Sequence, residues 1–355
     1  MPEAKCVKTP KELGKEALLL IKSLRLHNDK LQIQQTEKYL LIPLVEEVQN
    51  DALNKFNEKL PNFEISVHNF NLRESKHFSH IDFLVEKLSP ALLQRVPRAI
   101  DFVGDIAIIE VPSELNQHKT EIGEALMKAY KQTKTVLAKS GAVEGVYRIR
   151  NFEVIAGAKR TATIYKEYGC KYHIDVTKAY FSPRLSSEHN RVASAVKDEE
   201  TVVDLFAGVG PFSIPIAKKN KNVRIYAIDL NPEAIALLKK NVTLNRTEKQ
   251  ILAFLGDARQ IVQENLSGKA YRVIMNLPEI ADEFVDAACE AIKPEGGIIH
   301  YYCFLNAPDP IEDAKVRLTE AVKQNNRRVA KIILAKKVRE VAPYTWQMVV
   351  DAKIQ

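Results

Sequence analysis

The sequence predicts an α/β fold: a parallel, doubly wound (Rossmann-like) sheet closed by an antiparallel C-terminal pair and preceded by two small α+β domains. Three observations carry this reading. From Glu199 onward, apolar β-branched runs alternate with helical patterns, the order that builds a parallel sheet. In TVVDLFAGVGPFSIPIAKKN, residues 201–220, an apolar run ends in Asp204, and Gly208, Gly210 and Pro211 lead into an amphipathic helix. Glycines directly after a strand let the backbone approach a ligand at the carboxyl edge of the sheet. The chain closes on RRVAKIILAKKVREVAPYTWQMVVDAKI, two long β-like runs across Pro343 that read as an antiparallel pair.

The chain has 355 residues, 46% of them hydrophobic, enough for two or three domains with proper cores. It has no apolar stretch near twenty residues, and none follows the basic residues of MPEAKCVKTPKELGKE, so a cytoplasmic protein is expected. Cys6, Cys170, Cys289 and Cys303 lack C-x-x-C spacing and read as reduced thiols. The net charge of +7 favours a polyanionic partner, since lysine and arginine release counterions from phosphates.

Taken in order, residues 9–24 read as an amphipathic helix opened by Thr9 and Pro10, followed by a hairpin in DKLQIQQTEKYLLIPL and more mixed structure to residue 68. Residues 69–98 read as a linker and entry helix; His68, His77 and His80 lack metal-ligand spacing, and no metal is expected. A middle α/β domain spans 99–180, with a hairpin turn at Gly104 and Asp105, a helix from Glu114 to Ser140, and strands turned at Gly157 and Gly169. In KAYFSPRLSSEHNRVASAV, Ser186 or Ser187 is a candidate cap for the helix that holds Glu188 and Arg191. The sheet domain covers 181–355.

Polar groups recur where its apolar runs end. Asp229 closes RIYAID, where a carboxylate can accept from ribose hydroxyls. Asp257 follows ILAFLG at the next strand end, where a carboxylate can accept from an adenine amino group, and Asn276-Leu277-Pro278 follows YRVIM. Together with the glycine turn, these strand ends resemble the class I methyltransferase core that binds S-adenosylmethionine.

GVYRIRNFEVIAG, DVTKAYFSPRLSSEHNRV, VVDLFAGVGPFSIPIAKK, VIMNLPE and GGIIHYYCF, in this order, closely resemble the archaeal and eukaryotic tRNA (guanine-N1)-methyltransferases, which modify guanosine 37, just 3′ of the anticodon. The likeness runs from about residue 99 to the C-terminus. It implies that the N-terminal domain contacts the tRNA body, the middle domain helps hold the anticodon stem, and the C-terminal domain binds S-adenosylmethionine; a monomer is expected. It further implies that Glu188 is the general base, that Arg148 faces the O6 and N1 edge of guanine, and that Tyr180, Arg184, Asn276 and Pro278 surround the target base. Asp204, Phe206, Gly208, Gly210, Pro211, Asp229, Asp257 and Asn276 correspond to the cofactor shell. Relatives usually carry Arg directly after the glutamate, whereas this chain has His189.

The implied chemistry is coherent. Guanine N1 is protonated at neutral pH, so a carboxylate must take that proton as the methyl arrives, while a guanidinium steadies charge on O6. A base in a loop unstacks for a few kcal/mol and can rest on an aromatic such as Tyr180. Lys159, Arg160, Lys166, Lys171, Arg184, Arg327, Arg328, Lys336 and Lys337 are candidate phosphate contacts. Aminocarboxypropyl transfer from the same cofactor, a second methylation of a tricyclic guanosine derivative, and a catalytically idle tRNA-binding protein are the alternatives.

Overall fold

The computed structural model describes the chain apart from Arg25, Glu46, Glu47, Gln49, residues 73–77 and Val146, so His77 lies outside the described residues. The chain divides into two units, Met1–Phe78 and Ser79–Gln355. The first contains β1 (Glu3–Pro10), α1 (Gly14–Ser23), β2 (Gln34–Gln35), β3 (Tyr39–Pro43), α2 (Asn50–Lys59) and β4 (Glu64–Asn69), with sheet order β2-β3-β1-β4. The hairpin expected around residues 29–44 is β2–β3. The helix expected from residue 9 begins later: Thr9 and Pro10 pair with Leu40 and Tyr39 as the end of β1. β1 is central because β3 and β4 pair on its two sides, a non-local effect that its short alternation does not announce. α1 then buries Ala17 and Ile21 against Val7, Ile42 and Phe56.

The second unit opens with α3 (Pro90–Leu93), β5 (Asp101–Val103), β6 (Ile106–Ile109), α4 (Lys119–Ala129), β7 (Thr135–Glu144), β8 (Ile149–Gly157), β9 (Ala162–Glu167), β10 (Cys170–Asp175) and α5 (Ser186–Ala195). β5-β6-β7-β8 form one sheet and β9–β10 a hairpin. Two expectations change here. Leu84, Leu88 and Val96, in the segment read as a linker, are buried with Ile109 and Leu126. The helix read from 114 to 140 stops at Ala129, and the β-branched start of β7 pairs in parallel with β6. His80 donates to the carbonyl of Pro97 over 2.8 Å.

The larger sheet follows: β11 (Thr201–Asp204), α6 (Ser213–Lys219), β12 (Arg224–Asp229), α7 (Pro232–Asn245), β13 (Ile251–Leu255), α8 (Ala258–Ile261), β14 (Arg272–Met275), α9 (Val285–Ala291), β15 (Gly297–Leu305), α10 (Pro310–Gln324), β16 (Val329–Ala342) and β17 (Thr345–Ile354). Strand order is β13-β12-β11-β14-β15-β17-β16, parallel through β15 and antiparallel at β17 and β16. This is the doubly wound sheet with the closing pair that the sequence predicts. α10 was not foreseen, although Asp309 caps it, Pro310 opens it, and Ala314, Leu318 and Val322 recur at helical spacing. Among the described residues no helix is long and apolar enough to cross a membrane.

Charges are buried under this sheet in a connected line. Arg272 on β14 is 3% exposed. It donates through Nε to Glu200 Oε2 (2.7 Å), through Nη2 to Glu200 Oε1 (3.0 Å) and through Nη1 to His300 Nε2 (2.9 Å). Because a guanidinium only donates, His300 Nε2 must accept and its Nδ1–H donates to Asp351 Oδ1 over 2.7 Å. Burial holds His300 below its ordinary pKa, so it is neutral. Asp351, although burial opposes ionisation, is held at about 2 by His300 and Arg191.

Arg272→Met leaves Glu200 a buried unpaired carboxylate, and about 3–5 kcal/mol of stability should be lost. Urea unfolding checks this; adding Glu200→Leu should recover much of the loss, because the pair together costs desolvation that neither apolar residue does.

Candidate active site

The carboxyl ends of β13, β12, β11 and β14 line up along one edge of the sheet and form one side of a cavity of about 310 Å³. The first seat is the turn after β11. Ala207 N donates to Ile228 O over 2.8 Å, and Gly208 N donates to Asp229 Oδ2 over 2.7 Å. Gly208 takes φ 53°, and a Cβ there would have only Tyr180 O within 4 Å, so its hydrogen faces open space beside the cavity. Gly210 serves packing instead: at φ 93°, a Cβ would lie 2.6 Å from Leu238 Cδ1. Asp229 Oδ1 accepts from Asn231 N over 2.9 Å. Burial raises the Asp229 pKa, and the two backbone donors oppose that rise.

Between these strand ends, Phe206 stands edge-on to Phe284 at 4.9 Å, and Leu230, Ala258 and Ile280 complete an apolar slot. Asp257 lines the slot, yet its Oδ1 caps α8 by accepting from Arg259 N and Gln260 N. An apolar slot, a half-buried carboxylate and an open glycine turn suit a flat heterocycle carrying hydroxyls, as an adenosyl group does.

The opposite side holds Tyr147, Arg148, Tyr180 and His189, with Asn276 and Pro278 between the two sides. Arg148 adopts φ 55°, a conformation that costs strain for a non-glycine residue, and pairs with Glu279, directly after Asn276-Leu277-Pro278. His189 occupies the position after Glu188; its Nδ1 lies 2.8 Å from Glu167 Oε1, and its ring meets Phe212 edge-on at 4.8 Å. Sequence reading missed Arg339 and Gln347, which also line the cavity. Gln347 opens the buried run of β17, which holds a second polar residue, Asp351, so its place in that run does not mark its role.

Glu188, Arg184, Asp204 and Gly210 are not among the lining residues. Arg184 pairs with Asp101 at 2.5 Å. Glu188 is 1% exposed on the first turn of α5. α5 continues from the turn Pro183–Leu185, so Leu185 stands at its N-cap and neither Ser186 nor Ser187 caps it by a side chain. Glu188 Oε2 accepts from Arg191 Nε (2.8 Å) and Tyr302 OH (3.0 Å), and Lys336 Nζ lies 2.6 Å from Oε1. Burial pushes this carboxyl up, but Lys336 and Arg191 outweigh it and hold the group below the usual carboxylate value. Of the candidate phosphate contacts, Arg160 pairs with Asp105, Arg327 donates to two main-chain carbonyls, and Lys337 rests on the Trp346 ring at 4.4 Å.

A family model described as the TRM5/TYW2 methyltransferase domain matches residues 163–331, and one described as the TYW2 N-terminal domain matches residues 81–161. The tRNA (guanine(37)-N(1))-methyltransferase Trm5b of Methanocaldococcus jannaschii is 35% identical over 356 residues, covering 98% of each chain. Trm5b of Pyrococcus abyssi is 41% identical over 267 residues, 75% of this chain and 78% of that protein. A solved complex of aTrm5 with tRNALeu superposes with a TM-score of 0.69 at 34% identity, over 99% of each chain.

Asp204 generates a stability prediction. Its Oδ2 accepts from Ser213 Oγ over 2.8 Å while Oδ1, among the described residues, is buried without a well-formed hydrogen bond, and burial, opposed by Ser213 and the Phe206 main chain, pushes the carboxyl to about 7. The native state therefore keeps a proton that the unfolded chain releases near 3.9. Stability from this group is full below that value and declines as pH rises towards 7, by about 1.4 kcal/mol per unit. Asp204→Asn should flatten the fall of Tm between pH 4 and 7 in calorimetric scans, relative to the parent chain.

Proposed function

Since the chain belongs to the TRM5/TYW2 methyltransferase family, we propose that it transfers the methyl group of S-adenosylmethionine to N1 of guanosine 37 in tRNA. One observation carries this reading. A single cavity joins the strand-end seat of Gly208 and Asp229 to the base-edge groups of Tyr180, Arg148 and Asn276. Cofactor and base thus share one enclosure, as direct transfer requires. S-adenosylmethionine, when bound, supplies an already activated methyl group. The rest falls to the chain. Asp229 and the Gly208 turn hold the adenosyl group, and Asp204 supports that turn from behind. Tyr180 and Pro278 flank the extruded purine, Arg148 and Asn276 meet its oxygen edge, and Glu188 takes the N1 proton.

For that last step Lys336 must cede Glu188 Oε1. Its side chain is 41% exposed, against 1% for Glu188, so the cation can leave, and Glu188, which does not line the cavity in the free protein, must then turn Oε1 towards the base. An RNA phosphate is a fitting new partner for it. Arg148 must likewise exchange Glu279 for the base. The anticodon stem–loop meets the middle segment, Met1–Phe78 meets the tRNA body, and the chain acts as a cytoplasmic monomer.

With labelled S-adenosylmethionine, a guanosine-37 transcript should become labelled far faster than an adenosine-37 transcript; equal labelling of both, or a nucleoside carrying an aminocarboxypropyl group by mass spectrometry, overturns the reading. Glu188→Gln should slow single-turnover methylation roughly 10²–10⁴-fold while cofactor affinity persists. A rate near that of the parent chain removes Glu188 from the mechanism.

A further inference from the structure

An asparagine amide can turn either of two opposite faces to a ligand, its carbonyl or its NH2. For Asn276, at the end of β14, the choice is made two residues away. Arg339 on β16 and Gln347 on β17 are direct cross-strand partners. Arg339 Nε donates to Gln347 Oε1 over 2.9 Å. A guanidinium offers no acceptor, so this contact admits only the oxygen of Gln347. Gln347 Nε2 consequently donates to Asn276 Oδ1 at 3.4 Å. With Oδ1 engaged, the NH2 of Asn276 is the face left for a ligand.

The anchor of this chain is itself held. Arg339 Nη1 donates to Ser182 Oγ at 3.3 Å, and Nη2 donates to Tyr180 OH at 3.4 Å. Among the described residues these partners are neutral, so the guanidinium is not drawn off by a carboxylate, whereas Arg148 is paired with Glu279. Gln347 is 1% exposed, which leaves no water to compensate a reversed amide.

We infer that Arg339 and Gln347 form a polarity relay that selects guanine over adenine, by presenting the Asn276 amide donor-first to position 6 of the target base. The inference rests on the proposed reading, in which Asn276 meets that base. Guanine carries a carbonyl at position 6 and adenine an amino group. An NH2 donates to the first and opposes N–H to N–H at the second, leaving buried donors unpaired. Arg339 and Gln347 act through Asn276 and are positioning residues; a group that merely supports the fold would lower activity on every RNA alike.

Gln347→Glu reverses the relay. One carboxylate oxygen still accepts from Arg339, but the other can only accept, so Asn276 must turn its NH2 towards residue 347 and its carbonyl towards the base. Single-turnover kcat/KM is measured on transcripts with guanosine, inosine or adenosine at position 37, with thermal unfolding as the check on folding. The guanosine-to-adenosine ratio should fall about 10–100-fold, the worth of one such bond, with inosine following guanosine because it keeps the carbonyl and lacks only the 2-amino group. Arg339→Gln, which frees Gln347 to turn either way, should lower the same ratio less. If both variants keep the ratio of the parent chain, the relay is wrong even though guanosine 37 is methylated. If the parent chain does not methylate guanosine 37, the functional reading fails instead.

Discussion

A line of alternating charges, Lys336–Glu188–Arg191–Asp351–His300–Arg272–Glu200, runs from the exposed strand β16 through α5, β17, β15 and β14 to the start of β11. Three cations face three anions with a neutral histidine among them. The buried members, Glu188, Asp351, Arg272 and Glu200, cannot stand unpaired, since an unpaired buried ion is strongly destabilising, whereas Lys336 at the outer end is partly exposed. The line therefore demands that α5 and strands β14, β15, β16 and β17 take one mutual arrangement. Apolar packing alone would tolerate small slips of α5 along the sheet; the bidentate contacts of Arg272 and Arg191 do not.

That constraint matters because α5 is the connection between the two sides of the cavity. It leaves the KAYFSPR segment, which carries Tyr180, Phe181 and Ser182 to the cavity wall, and it leads into β11 and the glycine turn. Arg191 ties the helix to Asp351, and Lys219 reaches back from α6 to Asn190 over 2.8 Å. Fixing α5 to the sheet thus fixes Tyr180 relative to Gly208 and Asp229. Groups brought by distant segments then face one enclosure with little freedom left to lose on binding.

Legibility in the sequence followed the range of the interactions. The turn at Gly208, the strand ends at Asp204 and Asp229 and the alternation of strands and helices depend on neighbours in the chain, and all are visible there. The expectations that changed depended on distant partners: β1 is a strand because two others flank it, and β7 replaces the end of a helix because β6 lies beside it. Arg339 and Gln347 were invisible for the same reason. They meet across a hairpin whose register shifts between Lys337 and Arg339, so no fixed spacing predicts the pairing. Glu188 was readable as a residue from its motif, but its burial and its three partners come from α5, β15 and β16, which only the fold brings together.

Those partners bear on the proposed chemistry in opposite ways. A carboxylate buried as deeply as Glu188 would, without cations, keep its own proton at neutral pH and have no capacity to accept another. Arg191 and Lys336 keep it ionised, but each also lowers its affinity for the proton it is proposed to take, and a weaker base transfers more slowly. The two cations are not equivalent. Arg191 is committed to Oε2 and to Asp351, inside the fold, whereas Lys336 holds Oε1 from an exposed strand. Loss of Lys336 to a phosphate leaves Glu188 ionised by Arg191, bonded by Tyr302, and more basic at the oxygen just vacated. The proposed base is thus kept charged in the free protein by an ion that its own substrate is suited to remove.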